Sequence, residues 1–274
     1  MPAHVRRVVL WIAVGLVFGL GIAIARGATA AAEYYAAYLL EFSLSVDNIF
    51  VFVIVFSELQ IPAEYERRVL RWGVAGALIF RGLMIAAGIS LIQRFHWITY
   101  PFAGLLLFAA WRLLFAQERE RRVVEEACNV CSTWIARVIP VSPVVRGQDF
   151  WRREGGRLVA TPLFVALAVI ETTDIVFALD SVPAVLSVSR DPLIVYSSNV
   201  LALVGLRSLY FVVSHTLERL RYLRHGLAAV LVFTGAKMIG SEWVDISAAL
   251  SIGIIALVFG VTIVASLRSG YRSA

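Results

Sequence analysis

The chain has 274 residues, of which 60% are hydrophobic and 16% charged, with a formal net charge of +6 and a mean hydropathy of +0.81. These values lie far from those of a soluble domain and place the chain among helical membrane proteins. A disulfide framework is excluded, because Cys128 and Cys131 form a single CxxC, and the basic balance marks topology rather than nucleic acid.

A hydrocarbon core about 30 Å thick needs about 20 apolar residues per helix. Eight segments qualify, at residues 8–25, 34–57, 69–93, 96–115, 160–182, 192–213, 224–240 and 246–266. They are too long and too uniformly apolar for the alternating strands of a membrane barrel. The expected fold class is all-α, a polytopic helical membrane protein of about eight transmembrane helices.

The first segment follows Arg6 and Arg7. Its apolar run is long for a signal peptide, so an uncleaved helix is expected. The second carries EFSLSVDN at 41–48, which sets Glu41 six residues before Asp47 and follows that Asp with Asn48. The third and fourth carry Arg81 and Arg112. Residues 116–159 form the one sizeable piece outside the membrane. There QERERRVVEE reads as a solvated helical extension, and Val130, Trp134 and Val138 share a face suited to the membrane surface. DFWRREGGRLVA reads as a hairpin turning at Gly155–Gly156.

The fifth segment repeats the earlier pattern. DIVFALDS at 174–181 sets Asp174 six residues before Asp180 and follows it with Ser181, while Glu171 lies one turn upstream. The sixth and seventh segments carry Arg207 and Lys237. Aligning Asp47 with Asp180 places Glu41 on Asp174 and Asn48 on Ser181. The following helices match Arg81 with Arg207, then LLLFAAWRL (105–113) with VLVFTGAKM (230–238).

Each unit holds three helices, an odd number, so the second copy enters the membrane from the opposite side. That is the inverted repeat of many secondary transporters, whose sites lie near the midplane. The expected organisation is a first helix and short loop (1–33), a first three-helix repeat (34–115), a cytoplasmic loop (116–159), a second repeat (160–240) and a final helix and tail (241–274). Eighteen arginines outside the segments or at their ends fall on one side, against Arg26, Arg94 and Arg190 on the other. The positive-inside rule then sets both termini in the cytoplasm and the chain in the cytoplasmic (inner) membrane.

Five acids, Glu41, Asp47, Glu171, Asp174 and Asp180, thus fall within two repeat-related helices. A charge at the bilayer centre costs about 2.5–3.5 kcal/mol on insertion scales, which makes such residues functional candidates. Arg112 and Lys237 lie near helix ends and can snorkel, whereas Arg81 and Arg207 are deeper and are expected to balance the carboxylates. A six-residue step turns about 600°, so Glu41 and Asp47 share a face only if the helix unwinds between them. Pro183 withdraws a hydrogen bond from the Leu179 carbonyl, and a broken helix there would bare further oxygens. Carboxylates, an Asn amide, a Ser hydroxyl and free carbonyls suit a hard divalent cation such as Mn²⁺ or Ca²⁺. No His or Cys stands among the acids, which argues against Zn²⁺ or Cu⁺.

EFSLSVDN, ATPLFVALAVIETTDIVFALDSVPAVL and SNVLALVGLRSLYF, with the loop FWRREGGRLVATPL, closely resemble the TerC family and especially its Alx-like branch. The resemblance runs from about residue 34 to the eighth segment. The family is associated with tellurium resistance by name, its Alx-like members with manganese export, and it is considered distantly related to LysE-type exporters. It implies an acidic signature at Glu41, Asp47 and Asn48, and a second at Glu171, Asp174, Asp180 and Ser181. The CxxC is outside the family pattern and inherits no role.

The expected function is therefore a secondary transporter, not an enzyme, exporting a divalent cation, Mn²⁺ before Ca²⁺, by alternating access. The metal is its substrate; no cofactor is expected, protons are candidate coupling ions, and the partners are the bilayer and the ion. An aspartyl protease built on Asp47 and Asp180 is disfavoured by the lack of a GxGD context. A non-transporting membrane scaffold is the alternative from another class.

Overall fold

The computed structural model describes residues 3–115, 117–142, 144–145, 147–154, 156–213, 223–240, 243 and 248–270. Of the residues singled out above, Gly155 lies outside this set, as do the side chains of Asp47 and Asp180.

The described chain is almost entirely helical. The elements are α1 (Ala3–Arg26), α2 (Ala28–Glu58), α3 (Ala63–Arg94), α4 (Thr99–Phe115), α5 (Gln117–Val138), β1 (Trp151–Glu154), β2 (Arg157–Ala160), α6 (Pro162–Val188), α7 (Pro192–Val213), α8 (Leu223–Gly240) and α9 (Ala248–Gly270). Each of the eight apolar segments falls on one of these helices, and the charged run after residue 116 forms α5. Spans within α1, α3, α6 and α7 are long and apolar enough to cross a membrane, with shorter apolar helices at Thr99–Phe115, His225–Gly240 and Leu250–Thr262.

Local chemistry marks several boundaries. Pro62 precedes α3, whose first turn carries Glu64 and Glu66 and whose last turn carries Arg94, matching the helix dipole at both ends. Before α7, Asp191 Oδ1 accepts from the Leu193 backbone N–H at 2.8 Å, and Pro192 opens the helix, where a missing N–H costs nothing. Arg26 pairs with that same Asp191, and Ser189 Oγ donates to Glu33 at 2.6 Å, tying the α1–α2 corner to the α6–α7 corner.

Packing follows a reciprocal scheme. The most extensive contacts are α4 with α8, α2 with α7, and α3 with α6. Exchanging α2, α3 and α4 for α6, α7 and α8 turns the α2–α7 pair into the α6–α3 pair and leaves α4–α8 unchanged. Helix directions are also informative. Gly73 lies against Ile170, and Gly88 against Val182 and Leu186, so α3 and α6 run parallel. Ala37, early in α2, clusters with Ala178, Val182 and Val185, late in α6. Val55 and Phe56, late in α2, cluster with Leu163, Ala166 and Ile170, early in α6. The helices α2 and α6, which carry the matching acidic motifs, therefore run antiparallel.

The hairpin forms as expected, with Glu154 paired to Arg157 and Gly156 at φ 81°, a conformation that favours glycine. It seats on the start of α6, where the Trp151 and Phe164 rings are 4.1 Å apart. Helix α5 packs on α2 and α6, burying Val124 and Cys128 while leaving Val130, Trp134 and Val138 exposed.

One expectation changes. Helix α6 runs unbroken through Pro183, since a proline removes one hydrogen bond without ending a helix that its neighbours hold. Helix α2 is continuous across 41–48, so the unwinding that would bring Glu41 and Asp47 to one face is not present.

Candidate functional site: a buried carboxylate–arginine network

A continuous α2 aligns Glu41, Ser45 and Asn48 as one stripe, because steps of four and seven residues return to nearly the same face. All three are buried. On α6 the same periodicity aligns Glu171, Asp174, Ala178 and Ser181. Arg81 of α3 stands between the stripes and is fully buried.

Arg81 joins the two motifs. Its Nη1 donates to Glu41 Oε2 at 2.8 Å. Its Nε and Nη2 donate to Asp174 Oδ2 and Oδ1 at 3.2 and 3.0 Å, a two-pronged grip that the planar guanidinium is shaped for. Asn48 Nδ2 donates to Asp174 Oδ1 at 3.3 Å. Four residues from three helices thus form one network, and Glu41, Arg81 and Asp174 together carry a single net negative charge when ionised. Breaking such a pair strands a buried charge.

Polar capacity remains around this network. Glu41 Oε1, Ser45 Oγ, Ser181 Oγ and both amide atoms of Asn199 are buried without a hydrogen-bond partner. Asn199, on α7, faces the Glu41 carboxylate. Ordinary helical hydroxyls bond back to a carbonyl of the preceding turn, as Thr172 does to Ala168 at 2.8 Å and Thr173 does to Val169 at 2.8 Å. Ser45 and Ser181 do not, which leaves their hydroxyls with unused hydrogen-bonding capacity in a buried setting.

Glu171 lies one turn before Asp174, its carboxylate over Gly76 of α3, where an added Cβ would fall 2.0 Å from Oε1. The glycine is what lets the carboxylate reach between the helices, and Glu171 Oε2 is also buried and unpartnered.

The geometry thus brings together Glu41, Asn48, Asp174 and Arg81, sets Glu171 and Ser181 along the same stripe, and adds Ser45 and Asn199. Ser45 was legible as the residue four after Glu41; Asn199 had only the signal of a lone amide in an apolar segment. Among the described residues no group of three or more His, Cys, Asp or Glu is placed to hold a metal ion.

Arg207 is not brought to these acids. It stands among Arg7, Arg67 and Arg71 near the end of α7, while Arg81 already occupies the space between Glu41 and Asp174. Arg112 and Lys237 find partners within the bundle: the Arg112 guanidinium lies 5.8 Å from the Phe177 ring centroid, and Lys237 Nζ donates to Ser251 Oγ at 2.8 Å.

The family model for the integral membrane protein TerC family matches residues 26–274, a span that includes every member of the network. The chain belongs to the TerC family. Among curated relatives it is similar to the uncharacterized membrane protein STKORF319 of Myxococcus xanthus, at 44% identity over 94% of this chain and 80% of that protein. It is also similar to the thylakoid membrane protein TERC, chloroplastic, of Arabidopsis thaliana, at 40% over 96% and 68%. A third TerC-like relative, in Escherichia coli K12, is named as a membrane-bound redox modulator, Alx, and is 37% identical over 88% of this chain and 74% of its own length. No solved structure matches the chain. Like these relatives, this TerC-family chain is an integral membrane protein.

Proposed function

We propose that the chain is a secondary transporter of the inner membrane, built from two inverted three-helix repeats within eight spans, that exports a divalent cation from the cytoplasm. Mn²⁺ is the first candidate and Ca²⁺ the second. The observation that carries this reading is the buried Glu41–Arg81–Asp174–Asn48 network, which links the two acidic motifs and is ringed by unpartnered oxygens. The antiparallel course of α2 and α6 and the reciprocal helix pairing support the inverted repeat, and the arginine asymmetry supports cytoplasmic termini.

In this reading Arg81 balances Glu41 and Asp174 when no cation is present. An arriving divalent ion, drawn by Asp47, Asp180 and Glu171, competes with the guanidinium for carboxylate oxygens. Asn48, Ser45, Ser181 and Asn199 supply the neutral oxygens that a hard cation accepts. Loosening the Arg81 bridge frees α3 against α2 and α6, the rearrangement that alternating access requires. Protonation of a carboxylate on release would couple export to proton entry.

The redox wording of the Alx relatives invites a role for Cys128 and Cys131, but the chemistry opposes it. Both thiols are free, and burial pushes the Cys128 thiol up to about 11, the reverse of a reactive cysteine. The scaffold reading is favoured by one observation, that Arg81 already satisfies three carboxylate oxygens. Flux separates the two. The full chain in proteoliposomes is expected to carry Mn²⁺, with Ca²⁺ as a competitor, and Asp47→Asn or Asp180→Asn is expected to abolish flux without unfolding the protein. No flux in folded wild type under either pH gradient, or normal flux in both variants, would overturn the assignment.

A further inference from the structure

A second charged feature lies where α1 and α3 begin and α7 ends. A cavity of ≈ 430 Å³ opens between these helices, lined by Arg7 and Trp11 of α1, Arg67 of α3, and Arg207, Ser208 and Phe211 of α7. Arg71, one turn beyond Arg67, adds its charge to Arg7 and Arg67 around the Arg207 guanidinium. Among the described residues, none of these four arginines pairs with a carboxylate. The Arg67 guanidinium lies 5.3 Å from the Phe211 ring centroid, which holds that wall in place.

Arginines at a membrane border ordinarily spread into water and relieve their mutual repulsion. Here they converge from three helices on one concavity, and Arg207 is half-buried there. A volume of this size falls within the range of small-ligand sites, about 300–1,000 Å³. We propose that this cavity binds a phosphate group. Guanidiniums present paired N–H donors that match phosphate oxygens, the Ser208 hydroxyl adds a further donor, and Trp11 and Phe211 offer apolar flanks. Basic pockets between transmembrane helices commonly receive phospholipid head groups, and free phosphate carries the same chemistry.

The test uses the purified full chain in a neutral detergent, with Tm followed as ligand is titrated. One arm adds phosphatidylglycerol against phosphatidylcholine; the other adds inorganic phosphate against chloride at equal ionic strength. Wild type is expected to gain Tm in at least one arm. A rise with the lipid alone names a head group, and a rise with inorganic phosphate names a soluble ligand. Arg207→Gln is expected to weaken the half-saturation point about tenfold or more, while Arg190→Gln, just before the opposite end of α7, leaves it unchanged. Should Arg207→Gln not yield monodisperse protein, Arg67→Gln serves the same purpose. No rise in either arm, or equal binding by the variant, overturns the proposal. No transport is measured, so the outcome is independent of the cation reading.

Discussion

Arg81 and Arg207 fall on matching places when the two acidic motifs are aligned in sequence, and they have opposite surroundings. Arg81 is fully buried and answered by Glu41 and Asp174; Arg207 is half-buried and, among the described residues, has Arg7, Arg67 and Arg71 as its charged neighbours. Matching positions in a sequence alignment therefore do not confer matching chemistry. A buried charge is defined by what the neighbouring helices present, and here one guanidinium closes a network while the other helps to line an open cavity.

The sharpest way to break this comparison is to neutralise each arginine in turn. Arg81→Met strands two buried carboxylates and is expected to cost about 3–5 kcal/mol, seen as a large loss of Tm or of monodisperse protein in detergent. Arg207→Met, which strands no carboxylate among the described residues, is expected to stay within about 0.5 kcal/mol in the absence of added ligand. Equal losses would show that the two arginines do the same structural work.

Asp174→Asn is the next largest. It keeps the shape but removes the charge that Arg81 grips, at about 1.5–3 kcal/mol, and is expected to abolish Mn²⁺ flux. Unimpaired flux would separate the network from transport.

Gly76→Ala probes the other half of the site. The new Cβ would meet the Glu171 carboxylate, the movable end of a flexible side chain, so the expected stability cost is only about 1 kcal/mol. Its main effect is expected in flux, because Glu171 must leave the interhelical space. Unchanged flux would remove Glu171 from the ion path.

The smallest effect concerns α5, which covers the acidic helices and leaves the arginine cavity alone. Burial raises the Cys128 thiol from 9.0 to about 11. The unfolded chain therefore loses this proton first, and the stability held by the neutral thiol is fully present below pH 9 and lost as pH rises to 11. At pH 8 the folded chain should carry about a hundredfold less Cys128 thiolate than the unfolded chain, so alkylation by iodoacetamide should be correspondingly slow. Equal rates would mean that α5 is not docked.

Much of this was legible in the residues. Apolar length and arginine placement marked the helices, because lipid tolerates few other solutions for the backbone. The paired acids stood out because charges in lipid are expensive, and the hairpin showed itself through alternation and a glycine turn. The expected break at Pro183 did not occur, since one lost hydrogen bond is readily absorbed by packed neighbours. Asn199 went unnoticed because an amide on a third helix carries no periodic signal linking it to Glu41.

The sequence by itself determined the membrane class, the family, the helix positions and the two acidic motifs, since each depends on local pattern and hydropathy. Only the tertiary structure decided that Arg81 would bridge Glu41 and Asp174, that Glu171 would reach across Gly76, and that Arg207 would join Arg7 and Arg67. Those outcomes depend on which helix faces which, and at what depth. Packing between segments far apart in the chain sets both.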